Sequence, residues 1–190
     1  MREKRFHRRF LTVATFLIVP AFLTLYDQTA SAQSSAIDQF RQLKRQEPRL
    51  RQVLPNADVF TFEDASLPHF RAYDEDGNGK RTLIGLAFFT NELDPKVYGY
   101  KAQFWMLVGM TTNGVLTGVS IDYHAEPFGY FSIDPQEYGE QFIGKSILDP
   151  LEVGNDIDAV SRATITIEAA TRAIRQGSRQ LVRQFLSERK

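Results

Sequence analysis

Cysteine is absent from all 190 residues. That excludes disulfides, iron–sulfur clusters, thiol redox chemistry and c-type haem attachment within this chain, so any fold must stand on its apolar core. Histidine is nearly as scarce, with three in total and only His69 and His124 beyond the first 32 residues. No set of three or four metal ligands can be read from the sequence, so no metal site is expected. There is no Gly-x-Ser-x-Gly elbow, no dinucleotide glycine fingerprint and no P-loop. The formal net charge is zero and no basic cluster interrupts the globular part, which argues against a nucleic-acid partner.

What the chain does have begins with an export signal. Arg2, Lys4, Arg5, Arg8 and Arg9 precede an apolar run from Phe10 to Tyr26, and Ala30-Ser31-Ala32 supplies the small-x-small cleavage pattern. The run contains Pro20 and is short for a permanent span of ~20 apolar residues. Arg8-Arg9-Phe10-Leu11 comes close to a twin-arginine pattern, but Phe and Leu sit one position early. The expectation is a signal peptide over residues 1–32, with an uncleaved anchor as the alternative, and a single domain over 33–190. The signal takes five of the 23 basic and two of the 23 acidic residues, leaving 18 and 21, a net charge of −3. Localisation is expected to be periplasmic, or at the outer face of the inner membrane if the signal stays.

Periodicity then sketches an α+β domain. Ala36–Leu54 carries apolar residues at helical spacing, with Pro48 expected to break the helix or start a second piece. Val59–Phe62, Phe70–Tyr73 and Arg81–Phe89 read as strands, the last two joined by a turn over Asp74–Gly79. That turn matches the opening of a calcium loop, but Gly85 stands where a bidentate Glu is needed, so a hairpin explains it better. Ala102–Met110 and Val115–Tyr123 flank Asn113-Gly114, a hairpin signal. Phe131–Gly144 reads as a helix entered near Pro135. Ile165–Leu186 reads as a long amphipathic helix with Ile167, Ala170, Ile174, Gly177, Leu181 and Phe185 facing the core.

The stretch Asp158-Ala-Val-Ser161-Arg162-Ala163-Thr164-Ile-Thr166 lies just before that last helix. It resembles the flavinylation motif of the FMN-binding domain family, which includes flavin subunits of sodium-pumping and Rnf-type redox complexes. The family also includes the periplasmic domain of the nitrous-oxide-reductase regulator, the branch that this chain resembles most in Asp149-Pro150-Leu151 and Val153-Gly-x-Asp156. Further matching pieces follow in order: Tyr123-His124-Ala125-Glu126-Pro127-Phe128-Gly129 and Phe142-Ile-Gly144-Lys145-Ser146. One residue departs from the pattern: Arg162 stands where the family usually has Gly.

The resemblance implies a twisted antiparallel half-barrel with flanking helices and FMN joined through its phosphate to the hydroxyl of Thr164. It also implies an FMN transferase for maturation and membrane or periplasmic redox partners. With no cysteine present, a flavin is the group left to move electrons. A helix start at Thr164 would offer free N–H groups to the phosphate, and Arg162 either adds a cation there or hinders modification by its bulk. The bland alternative is a helix cap by Asp158 or Ser161, with Thr164 an ordinary surface residue. His124 and Glu126 either hydrogen-bond near the isoalloxazine and tune it or form a structural pair at a strand end. Among Tyr98, Tyr100, Phe104, Trp105, Phe128, Tyr130 and Phe131, one or two are expected against the flavin and most in the core. The rival function is a binding, assembly or regulatory protein without covalent flavin; a flavin enzyme with its own substrate ranks last, for lack of any pocket signal.

Overall fold

The computed structural model describes residues 43–188; the expected signal and the stretch 36–42 of the first helix lie outside them. Five strands follow one another as an antiparallel meander: β1 (Val59–Glu63), β2 (His69–Glu75), β3 (Arg81–Phe89), β4 (Trp105–Thr111) and β5 (Leu116–Tyr123). Helix α1 (residues 43–53) precedes the sheet. Two short helices, α2 (Gly129–Ser132) and α3 (Gln136–Glu140), lead to the 25-residue α4 (Thr164–Glu188). The α+β expectation, with an antiparallel open sheet and a long terminal helix, is met.

The period-2 alternation of the central strands divides the apolar residues between two faces. Leu86, Phe88, Met106, Val108 and Met110 join Ile167, Ala170, Ala173, Ile174, Leu181 and Phe185 of α4 in one core. Ala87 and Leu107, alternate in sequence, join Leu50, Val53 and Leu54 of α1 and Phe60, Phe70 and Ala72 in the other. The sheet is therefore a middle layer between two helices. At Gly177 a Cβ would stand 2.1 Å from the Phe88 ring, so this glycine is what lets α4 lie down on β3.

Three local expectations are corrected. Helix α1 runs through Pro48 without a break. Proline costs a helix interior about 3 kcal/mol by deleting one hydrogen bond and crowding the carbonyl four residues back. Full burial of Leu50 and Val53, each contributing about 1.5–3 kcal/mol, outweighs that. The helix expected to enter near Pro135 does so, with Pro135 extended at ψ 136° as the N-cap of α3. But α3 ends at Glu140, short of the expected Gly144, and Gly129–Ser132 forms a separate α2, because Asp134 precedes a proline and is biased away from helical angles. At the β4–β5 hairpin only Gly114 has positive φ, at 78°, and Asn113 does not. Thr111 N–H reaches the Val115 carbonyl at 2.8 Å, closing a three-residue loop in place of a two-residue turn. Asp76 Oδ1 accepts the N–H groups of Asn78 and Lys80 at 2.9 and 2.8 Å, so Asp74–Gly79 is a carboxylate-stapled hairpin turn.

Candidate functional site

The loop that feeds α4 is held from several sides. Asp156 accepts the N–H groups of Leu151 at 3.0 Å and Glu152 at 2.7 Å, which supports Leu151 in a left-handed conformation at φ 47°. Arg179 of α4 donates to the carbonyls of Ile147 and Asp149, both at 2.8 Å, and Arg175 donates more weakly to those of Pro150 and Leu151. Asp158 N–H bonds Gln141 Oε1 at 2.7 Å. None of these clamps is legible in the sequence, because each joins a side chain to backbone that no local pattern pairs with it.

Next comes the turn itself. Val160 to Ala163 closes with Ala163 N–H on the Val160 carbonyl at 3.1 Å, and Arg162 is carried at φ 70°. This is the conformation that favours glycine, so the glycine usual at this place of the motif has a backbone reason. For a residue with a Cβ it costs roughly 1–2 kcal/mol. The Arg162 side chain is exposed.

Ile167 N–H makes the first helical bond to the Ala163 carbonyl at 2.9 Å, which makes Ala163 the N-cap. Alanine has no side-chain oxygen with which to cap. Neither Asp158 nor Ser161, both exposed, has a side-chain oxygen that accepts an N–H of the helix start among the described residues. The N–H groups of Thr164, Ile165 and Thr166 thus begin the helix without a backbone partner, at the positive end of its dipole. The cap by Asp158 or Ser161 that the simple alternative expects is not made. Thr164 is exposed at the first helical position, whereas Ala163 and Thr166 are buried.

Glu126 meets this turn from the other side. It is 6 % exposed, accepts the Thr166 hydroxyl at 2.7 Å, and accepts the N–H groups of Tyr100 at 2.9 Å and Lys101 at 3.0 Å. Burial alone would raise its pKa. The hydrogen bonds from Lys101, Thr166, Tyr100 and Ala102 prevail and hold it below the ordinary carboxylate value. Gly99 makes room: a Cβ there would stand 2.5 Å from Glu126 Oε1.

His124 and Glu126 lie just beyond the end of β5, in the loop that follows it. His124 turns away, with Nε2 2.7 Å from Asp134 Oδ1, while its Nδ1 accepts Glu126 N–H at 3.1 Å. That assigns the proton to Nε2, which donates to Asp134. Gly129 is packed against the imidazole, where a Cβ would lie 2.0 Å from Cε1. The sequence motifs group Glu126 with the Thr164 turn, and the structure brings them together. It leaves His124 one step removed, orienting Glu126 through the backbone.

The aromatic expectation is corrected. Of the seven named, only Phe104 is buried; Tyr98, Tyr100, Trp105, Phe128 and Tyr130 are all more than two-fifths exposed and Phe131 is half-buried. Several flank the Glu126 loop, with the Trp105 ring tilted against Tyr123 at 5.3 Å and Phe131 packed on both Phe128 and Tyr130. A cleft of about 650 Å³ lies elsewhere, between Val53, β5 and α3, and a smaller one of about 250 Å³ lies beside Arg172 and Arg175; Thr164 lines neither. Among the described residues no helix is long and apolar enough to cross a membrane.

Comparison with known proteins converges on the same region. Residues 99–178 match the model of the FMN-binding domain family, a span that holds β4, β5, Glu126, Thr164 and most of α4. The chain is also 31% identical over 84 residues to a subunit of the Na(+)-translocating ferredoxin:NAD(+) oxidoreductase complex of Acetobacterium woodii. That alignment covers 40% of this chain and 41% of the relative, so the chain spans about two-fifths of the protein it matches. Residues 99–178 of this chain are therefore similar to the FMN-binding domain family.

Proposed function

We propose that this protein is an exported electron-transfer flavoprotein that carries FMN through a phosphoester on the Thr164 hydroxyl. The observation that supports it most is the start of α4. An exposed threonine hydroxyl stands at the first helical position, beside N–H groups that no cap satisfies, two residues from a clamped left-handed turn. A phosphodiester keeps one negative charge, and the helix start stabilises an anion there.

Attachment would follow a balanced exchange. The Thr164 oxygen bonds to the FMN phosphorus of FAD, the pyrophosphate bond breaks, AMP leaves, and an FMN transferase with magnesium takes up the hydroxyl proton. Bound FMN supplies reversible uptake and release of electrons; the protein holds it, shields one side and leaves an edge for its partners. The relative's membership of a ferredoxin:NAD(+) oxidoreductase complex supports a place between redox proteins of the membrane or periplasm. The basic and apolar residues before Ala32 support export, which also explains a covalent tether where free FMN is scarce.

The test is intact mass and in-gel flavin fluorescence of the exported chain, made with and without an FMN transferase. A gain of one FMN less one water, mapped to the Thr164 peptide and lost in Thr164→Ala, is the expected result. A chain left unmodified by an active transferase would sink the covalent reading. The rival, a binding or assembly protein without covalent flavin, draws on Arg162 alone: its bulk and left-handed strain stand where the motif has Gly. If Arg162→Gly is flavinylated and the wild-type chain is not, the rival prevails.

A further inference from the structure

Glu126 has a chemistry that attachment at Thr164 does not use. It is a nearly fully buried carboxylate in a glycine-made recess, and it touches two segments of the site at once. One is the loop carrying Tyr100 and Lys101; the other is the first turn of α4, through Thr166. Its hydrogen bonds keep it ionised, and among the described residues no cationic side chain is bonded to it; its donors are backbone N–H groups and a hydroxyl. A negative charge in that setting is damped by dipoles but not cancelled, and it acts across protein interior in which charge interactions are several times stronger than in water.

We infer that Glu126 is a positioning residue that locks the attachment turn to the loop at 98–102, and that its fixed negative charge lowers the reduction potential of a flavin held at Thr164. The inference rests on the function proposed above. Adding electrons to the flavin builds negative charge, and a buried anion beside the attachment turn opposes that charge in the reduced state more than in the oxidised one. Thr166, whose hydroxyl points at the carboxylate, damps this effect and couples the helix start to it.

The experiment is a dithionite titration of the full, flavin-loaded protein with mediator dyes, followed at the flavin absorbance, for wild type, Glu126→Gln, Glu126→Asp and Thr166→Val. Glu126→Gln is expected to raise the midpoint potential, with roughly tenfold more reduced flavin at a fixed ambient potential, the scale for one unit charge within several ångströms. Glu126→Asp, which keeps the charge, returns the potential to near the wild-type value. Thr166→Val keeps the carboxylate and strips one donor from it, so the potential stays or falls. A Glu126→Gln potential equal to wild type overturns the inference. So does a rise in Thr166→Val or Glu126→Asp as large as that in Glu126→Gln, because it marks loosened packing. If Glu126→Gln does not fold, the direction of the Thr166→Val shift decides alone. A wild-type chain that takes up no FMN refutes the function proposed above and this inference with it, whereas a loaded chain with unmoved potentials refutes the inference only.

Discussion

Replacing Arg162 with glycine should stabilise the protein, although it removes a large side chain. Arg162 sits at φ 70°, where a residue with a Cβ costs roughly 1–2 kcal/mol and glycine costs almost nothing. Against this, glycine gives the unfolded chain more freedom, worth about 0.4–1 kcal/mol. The exposed guanidinium makes no hydrogen bond or ion pair among the described residues, so little else is lost. The net expectation is a gain of about 0.5–1 kcal/mol, which for a domain of this size raises Tm by about 1–4 °C. The assay is thermal unfolding of the flavin-free chain by circular dichroism, with Arg162→Ala as the control that removes the side chain but keeps the strain. Arg162→Ala should match wild type or fall slightly below it. If Arg162→Gly melts no higher than Arg162→Ala, backbone strain at this turn is not what the angle implies.

Gly177→Ala should destabilise by about 1–3 kcal/mol, against the helix preference that favours alanine by about 1 kcal/mol, because the new methyl meets Phe88 at 2.1 Å and Leu93 at 2.9 Å; chemical denaturation measures it, and a stabilised variant would show that α4 can lift without cost. Thr166→Val should lose about 1.5–3 kcal/mol, the range for a hydrogen bond to a charged group, and hydrogen exchange should quicken at the start of α4 before it does elsewhere. Stability should also fall in acid. The depressed pKa of Glu126 means its contribution is fully present above the ordinary carboxylate value of about 4.3 and is lost as pH drops through its lower folded value. Glu126→Gln should flatten that limb of a denaturation-versus-pH curve, and an unchanged slope would place the acid sensitivity elsewhere.

The parts of the fold that can be read from sequence are those whose cause is local. Arg81–Phe89 is bounded correctly because turn residues precede it and an apolar, β-prone run fills it. The face of α4 is legible because its 3.6 period repeats over six turns. What escapes depends on contacts far apart in sequence: α1 passes Pro48 because the sheet holds both sides of it, and the exposed aromatics look like core residues until their strand ends are placed. The candidate site is half legible. Asp158 to Thr166 declares itself as a motif, and the glycine usual at position 162 already hints at a left-handed turn. Nothing in Tyr100 or Lys101 signals that their backbone amides bind Glu126, since an N–H group is common to every residue but proline.

The clamps around the loop before α4 have a mechanical consequence. Arg175 and Arg179 grip residues 147–151, Gln141 holds Asp158, and Asp156 staples the bend between them. Carrier proteins that ferry a group between distant centres hang it on a loose arm; this segment is a bracket. A group fastened at Thr164 would stay where the scaffold puts it, so its donors and acceptors would have to come to it in turn. The distance each electron crosses would then be set by how closely those partners seat, and the protein's control over transfer would lie in its surface and not in its reach.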